Sequence, residues 1–518
     1  MADNDYELFN VDEGEPGCPA AKRQDYSDDD EEEKKQPQEP TEFTKMMEEN
    51  VRTAAVPAQS TQPPTICEVP EDLAKGNEGA YIPKVVCIGP LFDSKTRGTA
   101  GMLRLERYKW CCVRKLVVGR RRAGTLDSAA AAAAAASWSP EVDEPLLREC
   151  FYRMVRLVPR IRASYCSRSS SDVNNSEVGD DDEQLALNML LDGCFVLHRL
   201  LLKNKKHDDH HQDDDDDWTL RFGRCWIWGT VKRDMLLLSN QVPFFVVRRL
   251  FKLLGSNEGE DVLVQCGLQL FGSLHPRPLH SAPVAPRDVH HLLHLLYLSI
   301  DLPPAPDYDD DDDDPHAAAA EPSSELTWWV PCAKELEESG VTFRPRKRGA
   351  ARSFLDVSFR RRGGVLEIPP LQLFDYSVPL FRNLIAFEQT YPATPGRVTA
   401  YAIFMDCLVK TSEDVRILHR SGVLVNHMNG ERDDTALGFF SGLCAEAHTS
   451  ADRNYLAGVM EEVARYQRGR WPQWRAALVR DYFTNPWVTT AVVAGAIGLA
   501  LTVVQTFYSV YAYHKPPS

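Results

Sequence analysis

Apolar residues recur at intervals of three and four along several stretches of the chain, and each such stretch predicts a helix with a buried face. Leu187, Leu190, Leu191, Cys194, Leu197 and Leu201 form one stripe. Another segment begins at 235–238 and is cut by Pro243, a residue that suits the first turn of a new helix. The apolar face of that new helix is Phe244, Val247, Phe251 and Leu254, and Gly255 stands where a C-terminal cap belongs. Val289, Leu292, Leu293 and Leu296 make a further stripe, as do Val398, Tyr401, Ala402, Met405, Leu408 and Val409. Thr411 or Ser412 then caps a short helix ending at Gly422. One place has period two instead. Leu355, Val357 and Phe359 alternate with Asp356, Ser358 and Arg360, residues 361–364 make a turn, and residues 365–368 return as a strand stopped by Pro369 and Pro370.

The last apolar stretch lacks a charged face altogether. Residues 487–513 contain no Asp, Glu, Lys, Arg or His. A bilayer-spanning helix needs roughly 20 apolar residues, and residues 488–510 are long enough. In hydrocarbon every backbone amide must bond internally, so a helix is the solution open to a single segment. Trp487 marks one interface, and Tyr508, Tyr511 and Tyr513 the other. The membrane-spanning residues are expected to include Trp487, Val488, Ala494, Leu499, Leu501, Val504, Phe507 and Tyr508. Arg465, Arg468, Arg470, Arg475 and Arg480 precede the span, while His514 and Lys515 follow it. That excess places the N-terminal side in the cytosol, at the plasma membrane or an endomembrane. With so few residues after it, the span is expected to insert after translation. The competing reading is a buried core helix, which at this length usually carries charge on one face.

The expected architecture is therefore mainly α: a large helical domain with a small β-hairpin and disordered acidic insertions, plus one C-terminal transmembrane helix. Residues 1–62 form a polar, acidic, Pro-rich tail, residues 63–483 the domain, residues 486–511 the span and residues 512–518 a short tail. Low-complexity insertions are expected near 120–140, 167–183, 204–217 and 303–325, each between apolar helical stretches. Charge enters here. The net charge is −16, concentrated in acidic runs at 28–33, 213–217 and 309–314, and such a balance argues against a nucleic-acid partner. The 13 cysteines form no Cys-x-x-Cys pair, which speaks against a zinc module or a secreted disulfide framework and for reduced, mostly buried thiols. The first residues have neither the basic nor the apolar region of a signal peptide.

Candidate chemistry is sparse. HDDHHQDDDDD at 207–217 has metal-ligand residue types, but a flexible Asp run does not fix coordination geometry, and it reads as a solvated acidic loop. His290 and His294 have the i, i+4 spacing of a helical metal pair, yet His291 replaces the Glu of His-Glu-x-x-His and no third ligand is near. They read as a helix face touching solvent or a polar neighbour. Arg344, Arg346, Lys347, Arg348 and Arg352 form a basic patch, as do Arg360, Arg361 and Arg362, and either suits a nuclear address or an interaction with anionic lipid heads, set against a plain exposed turn. Glu388 reads as a helix residue bonding Asn383 or a nearby cap, and Asn240 and Gln241 as satisfying backbone groups where the helix breaks. Asn174-Asn175-Ser176 is a glycosylation acceptor that the cytosolic topology leaves bare. No phosphate loop, nucleophile elbow, dinucleotide fingerprint or kinase motif set is present, and no cofactor or metal is expected.

Nine segments in one order carry a resemblance. They are ICEVPEDLAKGNEGAYIPKVVCIGPL at 66–91, LRLERYKW at 103–110, LLDGCFVLHRLL at 190–201, DMLLLSNQVPFFVVRRLF at 234–251, GVTFRP at 340–345, GVLEIPPLQL at 364–373, FRNLIAFEQ at 381–389, FMDCLVKTSEDVRILHRSGVL at 404–424 and YFTNPWVTTAVVAG at 482–495. Together they resemble the plant DUF247 family, also called UPF0481, over about residues 64–513. The resemblance implies a plant protein with a mostly helical domain and a C-terminal membrane helix, and no defined reaction. Some grass members are implicated in pollen–stigma self-incompatibility, which implies a recognition role. This chain departs from the family pattern where Leu91, Phe92 and Asp93 follow the first Gly-Pro and where Ser239 replaces a Glu, as a divergent grass-type paralogue would. The expectation is a membrane-anchored protein–protein recognition or signalling module. The rival is an uncharacterised enzyme with a pocket assembled from distant residues.

Overall fold

The computed structural model describes residues 46, 63–92, 100–123, 138–166, 178–205, 225–255, 259–272, 284–300, 329–346, 353–428, 432–445, 447, 454–469, 472, 474–475 and 486–514. Contacts divide the chain into two units, residues 1–61 and 62–518, and all the described residues except 46 belong to the second.

That unit begins with strand β1 (Ile66–Cys67) and the one-turn helix α1 (Glu71–Ala74). The long helices α2 (Ala100–Ala123) and α3 (Pro140–Ala163) follow. Strand β2 (Tyr165–Cys166) pairs parallel with β1. Then come α4 (Val178–Lys205), α5 (Cys225–Asp234), α6 (Phe244–Leu254), α7 (Asp261–Phe271) and α8 (Leu292–Ile300). After α9 (Ala333–Glu338) the chain forms β3 (Thr342–Pro345), β4 (Ser358–Arg360), β5 (Val365–Ile368) and β6 (Leu371–Leu373). It ends with α10 (Ser377–Thr390), α11 (Arg397–Leu408), α12 (Ser412–Arg420), β7 (Leu424–Asn426), α13 (Arg432–Cys444), α14 (Ala457–Gln467) and α15 (Pro486–His514). The chain is mostly helical with small sheets.

Helix α4 is the hub, packed by α2, α3, α6 and α7. The stripe read from its sequence is one face of a helix that is buried on the others too, since Phe195, Val196 and Leu200 are as deeply covered as Cys194 and Leu197. Gly193 admits α6 at close range, for a Cβ there would lie 2.5 Å from Leu250 Cδ1. Helix α6 buries Phe244, Val246, Val247, Leu250, Phe251 and Leu254, each worth about 1.5–3 kcal/mol relative to exposure. Its following residue, Gly255, is not the left-handed cap that its position predicts. The backbone there is extended, and glycine is needed because a Cβ would lie 2.4 Å from the Phe251 carbonyl oxygen.

The expected hairpin forms, with Phe359 opposite Leu366 in an antiparallel β4–β5 pair. Its turn needs Gly363 and Gly364, both at positive φ. Leu355 and Val357 are buried as the alternation predicts, but they lie in a turn before β4 rather than in the strand. The hairpin is also not alone: β3 joins β5 in parallel, giving the order β3-β5-β4, and β6 pairs parallel with β7.

Other boundaries move as well. Helix α2 continues to Ala123 and α4 starts at Val178, so both enter regions expected to be insertions. The rest of those insertions, most of the N-terminal tail, the 207–217 cluster and the 174–176 acceptor lie outside the described residues. The charge-free terminal segment is one helix of 29 residues, α15. Among the described residues, however, the segment that meets a length and hydropathy requirement for crossing a membrane is internal: Asp181–Leu202 of α4, 22 residues at mean hydropathy 1.6 and 78% buried. It is a core helix, and its apolar character serves packing.

Candidate functional site

The polar residues that stand out in the sequence meet in the interior, where most of them bond backbone. Asp234, at the end of α5, accepts three amides through one oxygen, from Lys84 (2.9 Å), Val85 (2.7 Å) and Val86 (3.1 Å). Burial pushes its pKa up, and the amides and Arg233 pull it back. Asn240 accepts from the Ile88 amide at 2.8 Å and donates to the carbonyls of Val86 and Asp234. Gln241 donates to the carbonyls of Met235 and Leu237 and accepts from the Leu292 amide at 3.1 Å. Both therefore act as expected where the helix breaks. Asp192 of α4 accepts the Gly89 amide and pairs with the fully buried Lys109 at 2.5 Å. Gly89 has φ +76°, and a Cβ there would lie 2.3 Å from the Gln241 carbonyl oxygen. Ser239 takes a bond from the Val69 amide and donates to Cys67. The segment 84–89 is thus strapped to α4 and α5.

Glu388 of α10 is buried, and its expected partner is half right. It does not bond Asn383, which instead accepts from the Leu238 amide and donates to Ala80 and Pro379. It does serve a cap: Glu388 accepts the Val398 and Thr399 amides at 2.9 and 2.7 Å, at the start of α11. The hydroxyls of Tyr297 and Thr399 complete its shell at 2.8 and 2.6 Å. Burial raises its pKa against these donors.

The histidines do not lie on a solvent-facing helix. Helix α8 starts at Leu292, so His290 precedes it, and His291 and His294 are in the core. The His290 and His294 rings stack at 4.6 Å. His291 Nδ1 accepts the His294 amide and His294 Nδ1 accepts the His290 amide, each at 3.2 Å. These bonds place the proton on Nε2, and His291 Nε2 then meets the Thr65 carbonyl at 3.1 Å. Burial lowers all three pKa values, that of His294 to about 3. Among the described residues no group of three or more His, Cys, Asp and Glu is arranged to hold a metal ion.

The basic patch is partly consumed by the fold. Arg346 bonds Ser358 Oγ at 2.7 Å and lies 3.5 Å from Asp356, bracing the sheet. Arg360 pairs with Glu367 across β4 and β5. Arg361 and Arg362 stand exposed at the hairpin turn, whereas Lys347, Arg348 and Arg352 lie outside the described residues. On α15, Ala494 is exposed, as are Leu501 and Val504, and Leu499, Phe507 and Tyr508 are 70, 65 and 66% exposed. Trp487 and Val488 are in the same helix, and their side chains lie outside the described set.

A basic cleft between α3 and α6 was not anticipated. Arg153, Arg156 and Arg160 recur at helical spacing on α3, a signal readable in the sequence.

A model of a plant protein family of unknown function, DUF247, matches residues 66–501. A UPF0481 protein of Arabidopsis thaliana is 26% identical over 463 residues, covering 86% of each chain. A second UPF0481 protein of the same plant is 29% identical over 188 residues, 36% of this chain and 34% of the relative. No solved structure matches the chain.

Proposed function

The chain belongs to the plant protein family DUF247, of unknown function, and we propose that it is a membrane-anchored recognition protein whose helical domain meets a protein partner at the cytosolic face. One observation carries this reading: α15 exposes large apolar side chains along its length, away from any core. A water-soluble helix hides such a surface, and a contiguous apolar surface of this kind marks a membrane or protein contact. Three hydroxyls of the helix also suit hydrocarbon. Thr502, Thr506 and Ser509 each donate to the carbonyl four residues earlier, at 2.8, 2.7 and 2.9 Å, so their hydroxyls need no outside partner.

Recognition is favoured over catalysis because the conspicuous buried polar groups, Asp234, Asn240, Gln241 and Glu388, accept or donate bonds within the core. Their work is structural. The anchor would confine encounters with the partner to the membrane plane, raising its effective concentration. Proximity labelling in plant tissue, with residues 486–518 present or deleted, tests the partner claim. A reproducible set of labelled cytosolic-face proteins that disperses on deletion is expected. The same diffuse labelling for both chains would overturn it.

A further inference from the structure

The C-terminal half of α3 and the facing side of α6 enclose a cleft of about 260 Å3. From α3 come Arg153, Arg156 and Arg160; from α6 come Arg248, Arg249 and Lys252. Two carboxylates answer them. Glu260 pairs with Arg248 at 2.5 Å and with Lys252 at 2.6 Å, and Glu149 pairs with Arg153. Six cations against two carboxylates leave four positive charges, in a chain whose net charge is −16. Arg156, Arg160 and Arg249 pair with no carboxylate among the described residues. The Arg160 guanidinium lies over the Phe245 ring, 4.1 Å from its centre, a cation–π contact within the cleft lining. Gathering like charges this closely costs energy unless an anion offsets it.

We propose that this cleft binds a small, multiply phosphorylated ring: a sugar or inositol carrying more than one phosphate monoester. Guanidinium groups present paired N–H donors that match phosphate oxygens, and five arginines on two helices can meet separate phosphates. The cleft's volume suits a single ring, being just under the roughly 300 Å3 at which ligand pockets commonly begin. A nucleic acid is disfavoured, because the chain's overall negative charge repels an extended polyanion. The same chemistry is available from a soluble inositol phosphate and from the headgroup of an inositol lipid. The proposal does not rest on the membrane reading.

Calorimetry on the full-length protein in nanodiscs of neutral lipid, titrated with inositol trisphosphate, tests it. Saturable binding is expected. Arg156→Gln with Arg249→Gln should weaken it at least about tenfold, the loss of one or more charge-assisted bonds. Arg148→Gln, a solvent-facing change elsewhere on α3, should leave it unchanged. Neither replaced cleft arginine holds an ion pair to a described residue, so the thermal transition should stay in place and report intact folding. Nanodiscs containing phosphatidylinositol bisphosphate separate the sources: loss of the soluble trisphosphate titration in them, relative to neutral nanodiscs, assigns the lipid headgroup, and an unchanged titration assigns the soluble ligand. Absence of saturable binding, or binding indifferent to the double change, would overturn the proposal. So would tighter binding of a phosphoserine peptide or an Asp-rich peptide, which would give the cleft to a peptide, including the chain's own acidic runs.

Discussion

His291 and His294 show how a single side chain can link the fold to pH. Their Nδ1 atoms are occupied by backbone amides, and burial lowers both pKa values. The unfolded chain takes up a proton near the ordinary histidine value of about 6.5, whereas folded His294 resists until about 3. Its contribution is therefore fully present above pH 6.5 and is lost as the pH falls towards 3, at about 1.4 kcal/mol per pH unit. His294→Asn keeps an acceptor near the Nδ1 position and removes the titration. Chemical denaturation at a series of pH values should show a shallower loss of stability for the variant between pH 6.5 and 5; parallel curves would show that His294 does not titrate on unfolding. The sequence made His290 and His294 look like one helical face touching solvent or a polar neighbour; polar neighbours are what they touch, but His290 precedes α8, and that difference has a physical source. Spacing specifies which residues align on a helix, not where the helix starts, and His291 itself supplies the N-terminal cap of α8.

Caps divide what was legible at the scale of elements. Thr411 caps α12 with a reciprocal box, its side chain accepting the Asp414 amide while Asp414 accepts the Thr411 amide at 2.7 Å. Both residues lie within one turn, so the sequence announces them. The cap of α11 comes instead from Glu388 on α10, and Gly396, which precedes the helix, has no side chain to signal it. Glu388→Ala leaves two amides and two hydroxyls without their acceptor and should cost about 3 kcal/mol or more. Thr411→Ala should cost about 1 kcal/mol. Equilibrium unfolding of both variants checks the order; equal costs would mean that water replaces the buried carboxylate. The strands divide similarly. The hairpin was readable because β4 and β5 are separated by a Gly-rich turn. Strand β3, with Phe343 its one buried side chain, has too little alternation to stand out, and its parallel partner is more than twenty residues away.

At the scale of the molecule, the segments that carry the family resemblance gather in space. VVCIGP, LLDGCF, DMLLLSNQVP and FRNLIAFEQ supply Gly89, Asp192, Asp234, Asn240, Gln241, Asn383 and Glu388, which knit backbone to backbone in the core. What the sequence shows most clearly is therefore the means of holding the fold. The basic cleft between α3 and α6 draws on none of these residues: Arg248 and Arg249 lie in the resembling segment at 234–251, but the α3 arginines that face them lie in none of the nine segments. Two long apolar helices also have opposite fates. Helix α4 is sheathed by four others, whereas α15 presents Leu499, Phe507 and Tyr508 outwards. Composition alone does not separate them, but burial does. Alkaline carbonate extraction of membranes from cells expressing the full chain, alongside a chain lacking residues 486–518, tests the anchoring claim directly. The full chain should stay with the membrane pellet and the shortened one should enter the supernatant. A full chain released as a monodisperse species without detergent would contradict it.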